Sequence, residues 1–363
     1  MKRKNIIAIN IGSTSTKVAF YDGTQCVWTE NCRHDPEQLH AEGEIFDQYE
    51  FRMANVMKAL EKHGLSCEEI DVAIAPGGLL PSTKQTHVSA GAYRVGKTLM
   101  HALKDHPLMP HPVNMGPWIC DAIAQKSGGR CIALAYDATT VDEMDPVLKI
   151  TGFPPIAREA RGHNLNMRTM AIRHCEENGM DYKAQNIIIA HMGGGTTVAL
   201  HAHGRILDMI SDDILPFSPT RCGGVPAYDL VRYAINSGKS AEEMVALLSR
   251  KSGLMGHLGT TDIKAVEKRI ADGDKQAADV LLAMSVNVAK AIAELAAVVC
   301  GKVDHVILTG GIAHSRMVTD WIVERVQFLA PVHVMPGEAE MLGLAMGATR
   351  VLDDLEDVRE YLD

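Results

Sequence analysis

The chain has 363 residues, of which 46% are hydrophobic and 22% are charged, and this is the composition of an ordinary soluble globular protein with room for two domains. Its net charge of −9 excludes a broad basic surface for nucleic acid or for an anionic membrane. We therefore expect neither kind of partner, although a small anionic ligand can still bind through local donors.

The first predicted elements are two strands joined by a turn of small, hydroxyl-bearing residues, and this pattern returns in the second half of the chain. Residues 5–23 read NIIAINIGSTSTKVAFYDG, and residues 186–204 read NIIIAHMGGGTTVALHAHG. Both copies predict a β-hairpin with glycine at its tip, where a positive φ or the close approach of a ligand requires that residue. The strands that the two copies predict are Ile6–Asn10, Lys17–Tyr21, Ile187–Ala190 and Thr197–His201.

A second pair of similar segments follows the hairpins in the same order. Residues 71–78 read DVAIAPGG and residues 304–311 read DHVILTGG, each a buried strand that ends in a glycine pair. Strands followed by glycines are common in any α/β protein, but that alternative explains one match more easily than two in the same order. The repeats favour a duplicated α/β chain whose two similar lobes face each other across a cleft.

Four other features bear on fold and location. A buried strand at Cys131–Ala135 precedes Asp137. The apolar segment Ala277–Cys300 carries several polar residues and is followed by Gly301, which predicts a buried helix rather than a membrane span. The N-terminal residues MKRKNIIAIN run directly into a strand, so we expect no signal peptide. The eight scattered cysteines lack metal-ligand spacing, and reduced thiols in the cytosol are expected.

Three glycine turns carry Ser or Thr after a strand, a composition that suits phosphate oxygens because successive backbone N–H groups converge there. They read GSTSTK at residues 12–17, HMGGGTT at 191–197 and TGGIAHS at 309–315. None matches the spacing of a P-loop or of a dinucleotide-binding turn. Each turn alone is a weak signal, but three in a duplicated chain favour a nucleotide polyphosphate.

Several motifs in register resemble the acetate and butyrate kinases, and the butyrate kinases most closely, within the sugar kinase/Hsp70/actin superfamily. The first hairpin's NIGSTSTK is similar to that family's N-P-G-S-T-S-T-K signature, with Ile11 at the proline position. The resemblance covers essentially the whole chain. The other motifs, in the family's order, are VDEM at 141–144, AHMGGG at 190–195, PFSPTRCGGVP at 216–226, ILTGGIAHS at 307–315 and APVHVMPGEAEMLGLAMGATRVL at 330–352.

The resemblance implies a duplicated two-lobed, actin-like ATPase (ribonuclease H-like) α/β fold with an interlobe cleft. An N-terminal lobe of residues 1–158 with a C-terminal helix at 345–363 is expected on the carboxylate side, and a lobe of residues 159–344 on the nucleotide side. The implied activity is reversible, ATP-dependent phosphorylation of a short-chain carboxylate to an acyl phosphate by in-line transfer. ATP or ADP, Mg²⁺, a cytoplasmic location and a homodimer are implied with it.

The resemblance also assigns catalytic and metal-binding roles to individual residues. Asp137, His163 and Arg221 match the family's catalytic aspartate, histidine and arginine. Asn10 and Glu340 match the pair that holds Mg²⁺, with Glu338 as a rival to Glu340. Each has an ordinary alternative: a turn former for the aspartate, a structural histidine, a surface arginine, a strand-end cap and a helix N-terminal charge.

The remaining implied contacts are with the nucleotide. The first hairpin supplies a phosphate turn, the second resembles the loop that carries the nucleotide phosphates, and two later segments resemble the elements around adenosine. The residues concerned are Gly12, Ser13, Thr14, Ser15, Lys17, His191, Gly193, Gly194, Gly195, Asp262, Lys264, Gly310 and Gly311.

Besides Ile11, the chain departs from the family pattern at Pro76, Gly162 and Lys264, the last of which stands where related kinases often show arginine. Pro76 stands where butyrate kinases have an arginine, which removes one cation that Lys84 or Arg94 could replace. Gly162 replaces a bulkier residue before the histidine. These changes leave an alternative open, in which the chain is a catalytically weakened, regulatory ATP-binding member with altered substrate. A sugar kinase on the same scaffold is a weaker alternative, because its aspartate would need a different motif context.

Overall fold

The structure is a computed structural model that describes residues 3–363, so Met1 and Lys2 of the basic N-terminal stretch lie outside the described residues. Its strands form one sheet of seven and one of five. The strands are β1 (Asn5–Ile11), β2 (Ser15–Asp22), β3 (Gln25–Arg33), β4 (Val72–Pro76), β5 (Ala92–Arg94), β6 (Ile132–Tyr136), β7 (Asn186–Met192), β8 (Thr196–Ala202), β9 (Arg205–Ser211), β10 (His305–Gly310), β11 (Val332–Pro336) and β12 (Val358–Arg359).

Helices connect and cover the two sheets. They are α1 (Pro36–Ala41), α2 (Tyr49–Lys62), α3 (Lys97–Asp105), α4 (Met115–Lys126), α5 (Asn164–Glu177), α6 (Ala227–Ser237), α7 (Ala241–Arg250), α8 (Gly253–Leu258), α9 (Ile263–Ala271), α10 (Lys275–Val298), α11 (Arg316–Val326) and α12 (Glu340–Leu352).

The described chain divides into two compact units. Unit 1 comprises Met1–Glu143, described from residue 3, together with Asn164–Thr169 and Ala339–Asp363. Unit 2 comprises Met144–His163 and Met170–Glu338. The assignment of residues 1–158 with 345–363 to a carboxylate side, and of 159–344 to a nucleotide side, stays a prediction.

Unit 1 is built on the seven-stranded sheet, whose order is β12-β5-β6-β4-β1-β2-β3. Its interior strand β1 reads NIIAINI, and Ile6, Ile7, Ala8 and Ile9 are all fully buried. A strand covered on both faces needs such a continuous apolar run rather than an alternating one. On one face, α12 contributes Leu344 to the same apolar cluster as Ile6, and this places the N-terminus of α12 near the end of β1.

Unit 2 is built on the five-stranded sheet, whose order is β11-β10-β7-β8-β9. Its core helix α10 begins after Asp274, whose carboxylate accepts the Ala277 N–H at 3.0 Å, and ends before Gly301 with φ 74°. Among the described residues, α10 is the one helix long and apolar enough to cross a membrane. Its Leu281 and Ile292 belong to the buried cluster of unit 2, so it is a core helix as predicted.

The same strand order occurs in both units. In each unit, the first strand pairs on one side with the second of three consecutive antiparallel strands. On its other side lie two later strands that run parallel to it, which gives the orders β6-β4-β1-β2-β3 and β11-β10-β7-β8-β9. Both predicted hairpins are present, as β1-β2 and β7-β8, and each predicted strand lies within one or two residues of its observed bounds. The duplicated α/β fold is therefore confirmed, and the sequence repeats exist because the structural unit is repeated.

Candidate active site

The predicted metal-binding pair in unit 1 is brought together by the end of β1 and the start of α12. Asn10 lies at the penultimate position of β1, and Glu340 is the first residue of α12. The Asn10 Nδ2 donates a 2.7 Å hydrogen bond to Glu340 Oε2. Of the two rival glutamates, Glu340 therefore contacts Asn10. An amide and a carboxylate offer the oxygen donors that Mg²⁺ prefers.

A buried arginine binds the backbone at the tip of the first hairpin. Arg52 of α2 is fully buried and donates to the backbone carbonyls of Ser15 at 2.9 Å and Ser13 at 3.1 Å. The side chains of Ser13 and Thr14 are exposed at the tip, and Gly12 closes the turn by donating to Ser15. The turn is thus fixed through its carbonyl groups while its hydroxyls face outward. Lys17 lies opposite Asn10 in the β1-β2 register.

Asp137, just after β6 in unit 1, is buried in an ion-pair network. Arg168 of α5 places Nη1 at 3.1 Å from both carboxylate oxygens of Asp137, and Gly91 N–H donates to Oδ1 at 2.7 Å. Arg168 also donates through Nη2 to Glu356 Oε1 at 3.1 Å and through Nη1 to the Tyr136 hydroxyl at 2.7 Å. Asp137 itself adopts a φ of 39°, which is unusual for a residue other than glycine.

Burial has the largest effect on the pKa of Asp137. Burial raises the pKa of the Asp137 carboxyl to about 6, because a charged carboxylate is poorly solvated there, while Arg168 and the Gly91 N–H act in the opposite direction. The carboxylate is therefore stabilised at neutral pH by its arginine partner rather than by water.

His163 and His191 form a stacked pair in unit 2. Their ring centroids are 4.0 Å apart with an interplanar angle of 9°, and His163 Nδ1 lies 3.0 Å from Thr197 Oγ1. Burial lowers the pKa of His163 to about 4, and the nearby Arg221 charge lowers it further; burial also lowers the pKa of His191. Both imidazoles are consequently neutral at pH 7 in the absence of an anion.

Gly162 is explained by this packing. A Cβ atom at that position would lie 2.6 Å from both the Met209 Sδ and the Thr197 Cγ2 atoms, so a bulkier residue would displace the threonine that contacts His163. Glycine at this position therefore leaves room for the Thr197 side chain that contacts His163.

Arg221 lies directly over the glycine turn of the second hairpin. A Cβ atom at Gly195 would be 2.2 Å from Arg221 Nη1, so only glycine allows the guanidinium to occupy this position. Arg221 Nη1 donates to Asp212 at 3.0 and 2.8 Å, and Asp212 also accepts the Thr196 N–H at 2.7 Å. Asp212 therefore binds both the turn and Arg221, and holds the guanidinium against the turn.

The other glycines of unit 2 form tight backbone turns. Gly193 N–H donates to Gly195 at 2.9 Å, and the Gly194 carbonyl accepts the Ser218 hydroxyl at 3.0 Å. Gly310, with φ 89°, lies so close to the Met192 carbonyl that a Cβ atom would approach it to 2.3 Å, whereas Gly311 is exposed.

The remaining predicted nucleotide residues lie at the start of α9. Asp262 is the N-cap of this helix and accepts the Lys264 N–H at 2.9 Å, and both side chains are exposed. Asp262 therefore caps the first turn of α9.

Pro76 ends β4 as a buried residue paired with Tyr136 of the neighbouring strand. Of the two cations that could replace the family arginine, Arg94 is committed to an ion pair with Glu360 at 3.2 Å, and Lys84 is exposed.

Three residues that position the predicted side chains have no sequence motif that would identify them. Arg52 supports the first hairpin, Arg168 binds Asp137, and Asp212 binds Arg221. The sequence offers one signal for such a positioning residue, which is an arginine on the apolar face of a helix, as at Arg52. Arginine is rarely buried without a partner, so its presence there indicates one.

Comparison with known proteins agrees with this fold and these motifs. The acetokinase family matches residues 168–335. Butyrate kinase 2 of Clostridium acetobutylicum is 37% identical over 358 residues, 98% of this chain and 99% of that protein. A probable butyrate kinase of Coprothermobacter proteolyticus is 38% identical over 361 residues, again 98% and 99%. The crystal structure of Porphyromonas gingivalis acetate kinase matches 96% of this chain and 100% of that chain, with a TM-score of 0.75 at 18% identity.

Identity of this extent along nearly the whole chain defines a phosphotransferase whose acceptor is a carboxyl group. The chain belongs to the acetokinase family. The alternative of a regulatory, non-catalytic member is not supported, because both relatives at this level of identity are named as kinases.

Proposed function

We propose that the protein transfers the γ-phosphoryl group of ATP to a short-chain carboxylate, butyrate or a branched relative, and forms ADP and an acyl phosphate reversibly. The observation that carries this proposal is the 37–38% identity to butyrate kinases over 98% of the chain. One carboxylate oxygen forms a bond to the γ-phosphorus as the bond to the β–γ bridging oxygen breaks. The carboxylate is already ionised at neutral pH, so the reaction needs charge neutralisation and alignment rather than a general base.

Arg221 and His163 are our candidates for meeting the charge of the transferred group. The partly exposed guanidinium of Arg221 is fixed by Asp212 and by Gly195, so it can act without reorganising. His163 is neutral in the free enzyme, and an anionic phosphoryl group beside it would raise its pKa and favour hydrogen-bond donation. Asp137 remains our third candidate, as the carboxylate beside the phosphoryl group.

Nucleotide phosphates are proposed to bind at the glycine turns of Gly12–Lys17 and His191–Gly195, with Asp262, Lys264 and Gly310–Gly311 toward the adenosine. No atom lies within 4 Å of where a Cβ would stand at Gly194 or Gly311, so the backbone is open to a ligand at these two positions, which supports this assignment. Asn10 and Glu340 are proposed to hold Mg²⁺, through water or directly, because their hydrogen bond brings the two side chains together and their amide and carboxylate oxygens are the donors that this ion prefers. When bound, Mg²⁺ would neutralise phosphate charge.

Acyl phosphate formation is the direct test. The enzyme is incubated with ATP, Mg²⁺, hydroxylamine and each of a panel of straight and branched carboxylates of two to six carbons, and the hydroxamate is measured. We expect product with four- and five-carbon acids and none without carboxylate. Failure with every acid, while calorimetry shows intact ATP binding, would overturn the proposed activity. Product with one subset names the acid and shows that Pro76 is compatible with turnover.

We also propose that the protein is a cytoplasmic homodimer in which α6 faces a second copy. Its Tyr228, Val231 and Ile235 lie three and four positions apart, on one face of the helix, and are 83%, 57% and 75% exposed. An exposed apolar stripe of this kind marks an interaction surface. All eight cysteines, which lie within the described residues, are free, in keeping with a reducing compartment.

Charge placed on this helix face should separate the copies. We expect wild-type protein to show twice the 39.4 kDa chain mass by size exclusion with light scattering, and Ile235→Glu to show the single-chain mass. Phe328→Glu, which alters an equally exposed apolar residue elsewhere in unit 2, is the matched control and should leave the mass doubled. A single-chain mass for the wild type, or a doubled mass for Ile235→Glu, would refute the proposed interface.

A further inference from the structure

Three histidines converge in unit 2, and none of them has been given a role above. His174 lies on α5, His305 begins β10, and His333 is the second residue of β11. In the parallel register, Ile307 of β10 pairs with His333. Because alternate residues of a strand share a face, His305 and Ile307 lie on the same side of the sheet, and His333 lies there too. The topology therefore directs both strand histidines to the face on which they meet His174.

The distances between the rings are short. His305 Nδ1 lies 3.1 Å from His333 Nε2. The ring of His174 is centred 4.1 Å from that of His333 and 4.8 Å from that of His305. One ring nitrogen from each of the three histidines lies within 4.8 Å of the other two. Three imidazole nitrogens are thus gathered around one point.

His174 is the buried member, and one of its polar atoms is unsatisfied. Its side chain is 5% exposed, its Nδ1 faces the Asn178 amide at 3.5 Å, and its Nε2 is buried with no hydrogen-bond partner among the described residues. An unsatisfied buried polar atom is costly to folding, so this one calls for a ligand.

We propose that His174, His305 and His333 form a site for a divalent transition-metal ion of the Zn²⁺ type, with the fourth position open to water. Zn–N bonds of about 2.0–2.1 Å in a tetrahedral site place the nitrogens roughly 3.3 Å apart. The strand histidines already have this separation, so His174 needs only a small ring movement to complete the set. His305 and His333 are partly exposed, which gives an ion access.

This site differs in chemistry from the proposed Mg²⁺ site. Imidazole suits Zn²⁺, Ni²⁺ and Cu²⁺, whereas Mg²⁺ selects oxygen ligands such as those of Asn10 and Glu340. A bound ion would tie α5 to β10 and to the edge strand β11, so its expected effect is on the stability of unit 2.

Calorimetric titration with Zn²⁺ tests the site. The full chain is prepared without a histidine tag, stripped with chelator, and titrated in excess Mg²⁺ so that oxygen-ligand sites are saturated. We expect one Zn²⁺ per chain to bind at the site, and Co²⁺ to give the visible absorption of a tetrahedral nitrogen-ligated ion. His305→Gln and His333→Gln should each weaken Zn²⁺ binding by roughly 100-fold or more, since even removing a partner of a metal ligand costs about 10–100-fold.

His40→Gln is the matched control, because His40 is an exposed histidine of α1 in unit 1. It should bind Zn²⁺ as the wild type does. Both strand histidines are partly exposed, so their variants should fold, and unchanged melting of the metal-free proteins verifies this. Absence of Zn²⁺ binding by the wild type, or equal affinity in His305→Gln and His333→Gln, would overturn the proposal.

Discussion

Replacing Arg221 with alanine is expected to lower kcat by about 10²–10³-fold, the typical loss when a preorganised donor to transition-state charge is removed. ATP binding should change far less, because the proposed phosphate turns supply their own backbone donors. The physical reason is the developing charge on the phosphoryl oxygens, which a planar guanidinium can meet with two donors.

The structure explains why this arginine can act from a fixed position. Its ion pair with Asp212 uses Nη1, and the side chain remains 43% exposed while that of Asp212 is 7% exposed. The guanidinium is therefore held on its buried edge and open on the other. Gly195 removes the side chain that would otherwise push it away.

Steady-state kinetics with the acid identified in the hydroxamate assay would measure the effect. Arg221→Lys keeps the charge but loses the planar fork, and should recover only part of kcat. Arg205→Ala is the matched control, because Arg205 forms an exposed ion pair with Asp145 in the same unit, at 3.0 Å. Wild-type kcat in Arg221→Ala, or an equal loss in Arg205→Ala, would remove Arg221 from the mechanism.

Much of the fold was predictable because it rests on local patterns. The runs NIIAINI and NIIIAHM are continuous apolar strands, each followed by a turn that needs small residues, and both patterns can be read within ten positions. Their repetition then indicated the duplication. The strand order itself required the structure, since the pairing of β1 with β4 joins distant parts of the chain.

The candidate site was only partly predictable, because its motifs identify the site residues but not the residues that hold them in position. Arg168 follows Asp137 by 31 positions and precedes Glu356 by 188 positions, yet the three side chains form one buried network. Nothing local distinguishes Arg168 from Arg173 on the same helix, which lies at the surface with Glu177. The choice of Glu340 over Glu338 as the partner of Asn10 likewise depends on where α12 begins.

That network leads to the largest expected effect on stability. Arg168→Met should destabilise unit 1 by about 3–5 kcal/mol, the usual cost of leaving a buried carboxylate without its partner. Arg168 and Asp137 have side chains that are 9% and 1% exposed, so water cannot replace the lost interaction. Arg173→Met is the matched control on the same helix, and loss of its exposed pair with Glu177 should cost about 0–1 kcal/mol.

The loss should also depend on pH in a defined direction. In the wild type, burial raises the pKa of Asp137 to about 6, above its value of about 3.9 in an unfolded chain, so this group's contribution to stability falls as pH rises through that interval and then levels off. Removing Arg168 removes an influence that lowers this pKa, so the folded pKa rises further and the fall continues to higher pH. The difference between wild type and Arg168→Met should therefore be larger at pH 8 than at pH 5.

Urea unfolding followed by tryptophan fluorescence measures this difference, because two of the three tryptophans, Trp28 and Trp118, lie in unit 1. A loss below about 1 kcal/mol at pH 8 would place Arg168 among ordinary surface ion pairs. A larger loss at pH 5 than at pH 8 would show that the Asp137 carboxylate is not the group that Arg168 stabilises. We expect the larger loss for Arg168→Met at pH 8 and a loss for Arg173→Met that hardly depends on pH. That result would show that the buried ion pair is required to hold Asp137 ionised after β6.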